Sequence, residues 1–156
     1  MKVKLTIFLL GFLYLNSYSQ VISILKARSL PVGTSLSIKG VITATEFGTK
    51  KYLQDSTRGL AIYDIKLLSV KKGDSISVSG VLKIFNGELQ VSPVNSFTVI
   101  NTGYSLPTPK LPGLNKGFSD AYLGQLVRFN GVKFGSTGNF EGNNNYMIDS
   151  SGVLKE

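Results

Sequence analysis

The 156-residue chain contains no histidine and no cysteine. Without histidine, Ser-His-Asp and Cys-His nucleophile systems are excluded, and without either residue the usual zinc ligands are missing. Without cysteine, no disulfide supports folding outside the cytoplasm. Glycine-rich phosphate loops of the GxGxxG or GxxxxGK[ST] kind do not occur. Acidic residues are scarce, 9 Asp and Glu against 17 Lys and Arg, for a formal net charge of +8. Catalysis, a metal site and a bound cofactor are therefore not expected of this chain.

The N-terminus is of a different kind from the rest. Lys2 and Lys4 precede the apolar run "LTIFLLGFLYL", Leu5 to Leu15, and the small residues Ser17 and Ser19 precede Gln20. Charge, apolar core and small residues in that order make a secretory signal peptide over 1–19. The run is short of the roughly 20 residues that span a bilayer. No membrane insertion is expected after cleavage, and the product is secreted, periplasmic or held at the cell surface. Cleavage removes Lys2 and Lys4 and lowers the net charge by two. Most of the remaining excess lies between Val21 and Tyr104, with ten basic and five acidic residues. That part is the one suited to a polyanion, although a basic surface also serves solubility.

"VISILKARSLPVG" has apolar residues at Ile22, Leu25 and Leu30 and predicts a short lead-in helix. From Thr34 the period becomes two. Strand one carries Leu36, Ile38, Gly40 and Ile42 inward. Strand two, "KKYLQD", has Leu53 inward and Tyr52 and Gln54 outward. Strand three, "GLAIYDI", has Leu60 and Ile62 inward and Ala61 and Tyr63 outward. The link "KLLSVKKG" leads to strand four, with Ile76, Val78, Gly80, Leu82 and Ile84 inward. Asn86-Gly87 is a hairpin signal, and "ELQVSPV" is the return strand, which "NSFTVI" extends past Pro93. Glycine in the middle of strands one and four predicts a bulge or bend. Five short strands in so little chain favour a closed barrel, which leaves few exposed edges.

Three stretches in order carry a resemblance: Gly33 to Val41, Tyr52 to Tyr63, and Lys72 to Gly80. Together, over roughly Gly33 to Val94, they resemble the OB-fold (oligonucleotide/oligosaccharide-binding) domains of secreted bacterial proteins, which often stand in tandem or beside nuclease-type domains. The resemblance implies an all-β, five-stranded closed barrel. The helix usual between strands three and four is reduced to "KLLSVKKG", which is expected to leave one barrel end less well plugged.

The chain then repeats itself. Gly33, Leu36, Ile38, Gly40 and Val41 align with Gly124, Val127, Phe129, Gly131 and Val132, each 91 residues on. Tyr52 and Asp55 align with Tyr146 and Asp149, 94 residues on, so the loop "GSTGNFEGNNN" is three residues longer than its counterpart. The expected organisation is signal peptide 1–19, OB domain 20–104, proline-rich extended linker 105–117 and an incomplete second copy 118–156. An isolated hairpin is marginal in water. The half copy is therefore expected to be the front of a longer architecture; the alternative is a two-stranded extension packed on the first barrel.

Asp55 and Asp74 head turns, where an Asp side chain accepts backbone N–H groups, so they are expected to be structural; the less favoured alternative is that Asp55 and Asp64, flanking the strand-two to strand-three hairpin, form a carboxylate pair for acid/base work or a divalent cation. The outward set is the candidate site: Lys39 on strand one, Lys50, Tyr52 and Gln54 on strand two, Tyr63 on strand three, Arg58 at the turn and Phe85 beside the hairpin. Rings beside basic groups suit single-stranded nucleic acid, whose bases stack on aromatics. Tyr is also simply a good strand former. The expectation is a non-catalytic module binding single-stranded nucleic acid, accessory to a catalytic domain. The alternative is a surface module binding glycan or protein, or a spacer, because fold does not fix function.

Overall fold

Apolar alternation sets the strands, and pairing between the first and fourth of them closes the ring. The computed structural model of the chain describes residues 20–139 and 146–149. Residues 1–19, the expected signal peptide, lie outside the described residues. In chain order the elements are β1 (Val21–Ile22), α1 (Ile24–Ala27), β2 (Ser35–Phe47), β3 (Lys50–Gln54), β4 (Gly59–Tyr63), a 3-10 turn (Ile65–Ser69), β5 (Ser75–Phe85), β6 (Glu88–Asn101), α2 (Leu114–Gly117), β7 (Lys133–Phe134) and β8 (Ile148–Asp149). The five expected strands are β2 to β6, and β6 does run through Pro93 to Asn101. Their spatial order, β2-β3-β4-β6-β5, returns to β2 through an antiparallel ladder from Ser35↔Val81 to Val41↔Ser75. Within this ring only β4 and β6 run parallel. This is the connectivity of an OB-type barrel.

Strand β2 serves two neighbours, β5 up to Val41 and β3 from Val41 onward. Gly40 sits at the changeover, where a Cβ would lie 2.5 Å from the Gln54 carbonyl oxygen. On β5 a Cβ at Gly80 would lie 2.5 Å from the Pro93 carbonyl oxygen, beside two register shifts in the β5–β6 ladder. Both glycines are needed because neighbouring backbone passes too close for a side chain. The inward residues Leu36, Ile38, Ile42, Leu53, Leu60, Ile62, Ile76, Val78 and Leu82 are all buried. Ile84 is not: it is 53% exposed, because the β5–β6 hairpin runs on past the end of the core. Its tight turn uses left-handed backbone at Asn86 and Gly87.

Both barrel ends are closed by short elements. At the start of β4, the α1 amide of Ile24 donates to Asp55 Oδ2 at 2.7 Å, and Arg28 Nη1 donates to the Gly59 carbonyl at 3.2 Å. These bonds turn Ile24 and Ala27 into the core and leave Leu25 51% exposed, so the helix face differs from the expected one. The strand β1, which pairs in parallel with β2, was not expected. At the other end of β4 the 3-10 turn buries Leu67, and Val70 follows it inward. The shortened link therefore does plug the barrel.

Beyond Tyr104 regular structure thins. The segment 105–113 carries an isolated parallel bridge, Lys110↔Val127. Phe118 and Phe129 stack with centroids 5.4 Å apart. The stretch expected to form strand one of a second copy holds only that bridge, because among the described residues no ladder flanks 128–132. The hairpin β7–β8 follows, with Lys133 opposite Asp149. The order of features nonetheless matches the start of the barrel. In both places a parallel pairing and a one-turn helix precede a glycine with left-handed backbone, Gly33 (φ 90°) or Gly124 (φ 76°), and then an antiparallel hairpin.

Candidate binding face

Register brings the outward side chains of four strands onto one face. Lys50 stands opposite Tyr63, and Tyr52 opposite Ala61, across β3 and β4. Ala61 is level with Gln90 on β6, which stands opposite Lys83 on β5; Phe85 stands opposite Glu88. The candidates Lys50, Tyr52, Tyr63 and Phe85 thus share a face with Lys83, Glu88 and Gln90.

Glu88 organises the middle of that face. Its Oε2 lies 2.8 Å from Lys50 Nζ, and its Oε1 accepts from the Tyr52 hydroxyl at 2.8 Å. Burial, then the Glu88 hydrogen bond and charge, push the Tyr52 phenol up to about 12. The Tyr52 ring stands edge-on to Phe47, with centroids 5.6 Å apart. By contrast, Tyr63 is 46% exposed and Phe85 55%. A cavity of about 170 Å³ lies between them, lined also by Lys50, Lys83, Gln90 and Ser92. The two open rings are therefore Tyr63 and Phe85, where Tyr52 and Tyr63 were the expected pair.

The remaining candidates lie elsewhere. Gln54 points outward as expected but is buried, because its Oε1 accepts the Leu126 amide at 2.8 Å. Arg58 Nη1 donates to the Ala121 carbonyl at 2.7 Å. Gly59 and Gly124 meet backbone to backbone, so that a Cβ on Gly59 would collide with the Gly124 carbonyl oxygen. The chain's own residues 121–126 thus cover the end of the face that holds Gln54 and Arg58. Lys39 is exposed on β2 and lines a separate cavity of about 350 Å³ with Gln54, Asp55, Ile100 and Tyr104.

Asp55, Asp64 and Asp74 are committed to backbone amides. Asp55 accepts from the amides of Ile24, Thr57 and Arg58 and from the Thr57 hydroxyl. Burial pushes its carboxyl up, but those bonds together outweigh it and hold the group below its usual value. Asp64 is held low first by the Lys66 amide, with the Val94 amide adding to it. Asp74 accepts from the Lys71 amide. Among the described residues no three acidic side chains gather as a metal site.

Sequence reasoning missed Lys83, Glu88 and Gln90. The alternation in "ELQVS" places Glu88, Gln90 and Ser92 on one face, which was a usable signal. The parallel β4–β6 pairing that sets them beside Tyr63 had none.

No protein-family model matches the chain, and no curated protein matches it. Among solved structures the chain is similar to the hypothetical protein ygiW from E. coli, at 16% identity and a TM-score of 0.46, covering 53% of this chain and 91% of that one. It is also similar to OBody AM1L10 bound to hen egg-white lysozyme, at 14% identity and a TM-score of 0.38, covering 46% of this chain and 83% of that one. The assignment to the OB type rests on the barrel's own strand order and its one parallel pair.

Proposed function

We propose that the chain is a secreted, non-catalytic OB-type module that binds single-stranded nucleic acid, accessory to a catalytic domain. One observation carries the reading: two exposed rings, Tyr63 and Phe85, flank a cavity between Lys50 and Lys83 on an open barrel face. Bases stack on such rings while lysines meet the phosphates. The excess of basic residues supports it, and the leader-like N-terminus supports export. We read the tail as the front of a second barrel, supported by the matching order of bridge, helix turn, left-handed glycine and hairpin.

The test is a titration of the full chain with a short single strand at several salt concentrations. Affinity falls with salt as counterions are released. Tyr63→Ala and Phe85→Ala each weaken binding by about 1–3 kcal/mol, the worth of one stacked base. Lys39→Ala, at the separate cavity, leaves the salt slope nearly unchanged, whereas Lys83→Ala, which removes a charge with no ion-pair partner among the described residues, lowers it by about one. Lys50→Ala lowers it less, since its charge is shared with Glu88. Tyr52→Ala has the smallest effect of the three aromatic changes, because its ring is edge-on and its hydroxyl is tied. If the aromatic variants bind like wild type while the lysine variants lose affinity, the surface is merely basic. A second reading, a glycan- or protein-binding surface, is favoured by Glu88, a carboxylate in the middle of the face that repels phosphate. Binding to such a partner that is insensitive to salt would select it.

A further inference from the structure

The Tyr63–Phe85 cavity is lined by a side chain that carries a buried polar atom with nothing to bind. Gln90 lies on β6 between Ala61 of β4 and Lys83 of β5, and it is 3% exposed. Its Oε1 is buried without a hydrogen-bond partner, the only such side-chain atom among the described residues. Buried acceptors are nearly always paired, and an exception calls for a reason. Gln90 lines the cavity of about 170 Å³, whose walls carry the two exposed rings. The space suits one flat ring bearing an N–H group on its edge. Of the two lysines at the rim, Lys50 is held 2.8 Å from Glu88, whereas Lys83 is exposed and has no acidic partner among the described residues.

We propose that this cavity is a base-reading pocket: it seats a single nucleobase against the Tyr63 or Phe85 ring, the base donates an N–H to Gln90 Oε1, and Lys83 meets the adjoining phosphate. The inference rests on the nucleic-acid reading above and adds a requirement to it. Stacking and charge accept any base, whereas Gln90 demands a donor on the base edge. A ligand without that donor leaves the acceptor sealed and unpaired, which is where hydrogen-bonding sites gain their discrimination.

The experiment uses the full chain and two probes of equal length and charge, an oligothymidylate and its N3-methylthymine counterpart. The methyl group removes the only N–H of the base and leaves ring and phosphate in place. Fluorescence anisotropy at low salt is expected to show the unmethylated strand binding about tenfold more tightly, the worth of one hydrogen bond to a buried group. Gln90→Leu, checked for native unfolding, is expected to bind the two strands alike. If wild type binds both strands equally, with the usual salt dependence, the pocket proposal fails and the nucleic-acid reading stands. If Gln90→Leu keeps the preference, the methyl group acts by size and the proposal also fails. If neither strand binds, both fall. Should Gln90→Leu not fold, Gln90→Met takes its place, with the same expected outcome and the same overturning one.

Discussion

Residues 35–47 form a thirteen-residue strand, while the aligned stretch after Gly124 holds one isolated bridge and the two residues of β7. The two stretches share glycine and apolar positions at the same spacing. The difference lies in what flanks them. β2 has β5 on one side and β3 on the other, and together they satisfy its backbone. Residues 128–132 have no such ladder among the described residues. Alternation proposes a strand, and partners make it one.

The sharpest way to break this comparison is to cut the core in each part. Ile62 is wholly buried in the barrel, and Ile62→Ala is expected to cost roughly 2–5 kcal/mol in urea unfolding. Phe129 is half-buried and packs on Gly117 and on Phe118, itself 76% exposed, so Phe129→Ala is expected to cost about 1 kcal/mol, well below the barrel value. Equal costs would mean that the tail shares the barrel's cooperative unit.

The aligned glycines give the next largest contrast. At Gly40 a Cβ meets the Gln54 carbonyl at 2.5 Å, so Gly40→Ala is expected to cost about 3 kcal/mol and Gly40→Val more. Val41→Ala, which trims a half-buried outward residue, is expected to cost far less. Gly131 has open space around it but a φ of +66°, so Gly131→Ala pays only the left-handed penalty of about 1 kcal/mol. The two aligned positions then fail for different physical reasons, crowding in the barrel and backbone conformation in the tail. A larger loss at Gly131 would invert the picture.

A third contrast uses pH. Asp55 ties α1 to the β3–β4 turn, and its folded-state carboxyl lies below the usual value. A depressed group gives its stability above the unfolded value, about 3.9, and loses it as pH falls through the folded value. Asp55→Asn is therefore expected to cost about 1–3 kcal/mol at neutral pH, the worth of hydrogen bonds to a charged group. The gap to wild type should close as pH drops below about 4. A gap that stays constant with pH would show that the shape of the side chain matters and its charge does not.

The barrel was legible because its signals are local. Alternation gave the inward sets, Asn86-Gly87 gave the hairpin, and the mid-strand glycines marked the close crossings. Ile84 broke the pattern since alternation does not tell where a core ends. Leu25 misled because a four-residue helix has no periodicity to read; the Asp55 bond to Ile24 sets its face. The candidate face was legible in part. Tyr63 and Phe85 were found from residue type, but their cavity depends on β6 lying parallel beside β4, a long-range pairing without a local signature. Glu88 was likewise invisible as the partner of Lys50 and Tyr52. That Gln54 and Arg58 would be covered by residues 121–126 was not readable either, since it arises from two glycines meeting across the fold.

Cutting the chain between the two regions separates them most directly. A chain ending at Tyr104 keeps all five barrel strands, and it keeps the bond from the Tyr104 amide to the Gly73 carbonyl. It loses the Leu126–Gln54 and Ala121–Arg58 hydrogen bonds. Both groups become accessible to water once the cover is gone, so little of each bond's worth is lost, and stability should fall by only about 1 kcal/mol. Unfolding should stay cooperative; its loss would show that the tail completes the fold. Binding should move the other way. Removing 121–126 frees the Arg58 guanidinium and uncovers Gln54 at the end of the face. Affinity for a single strand should then rise slightly, and the salt slope should steepen by up to about one, the share of one added phosphate contact. Weaker binding by the shortened chain would mean that residues 121–126 line the site and do not merely cover it.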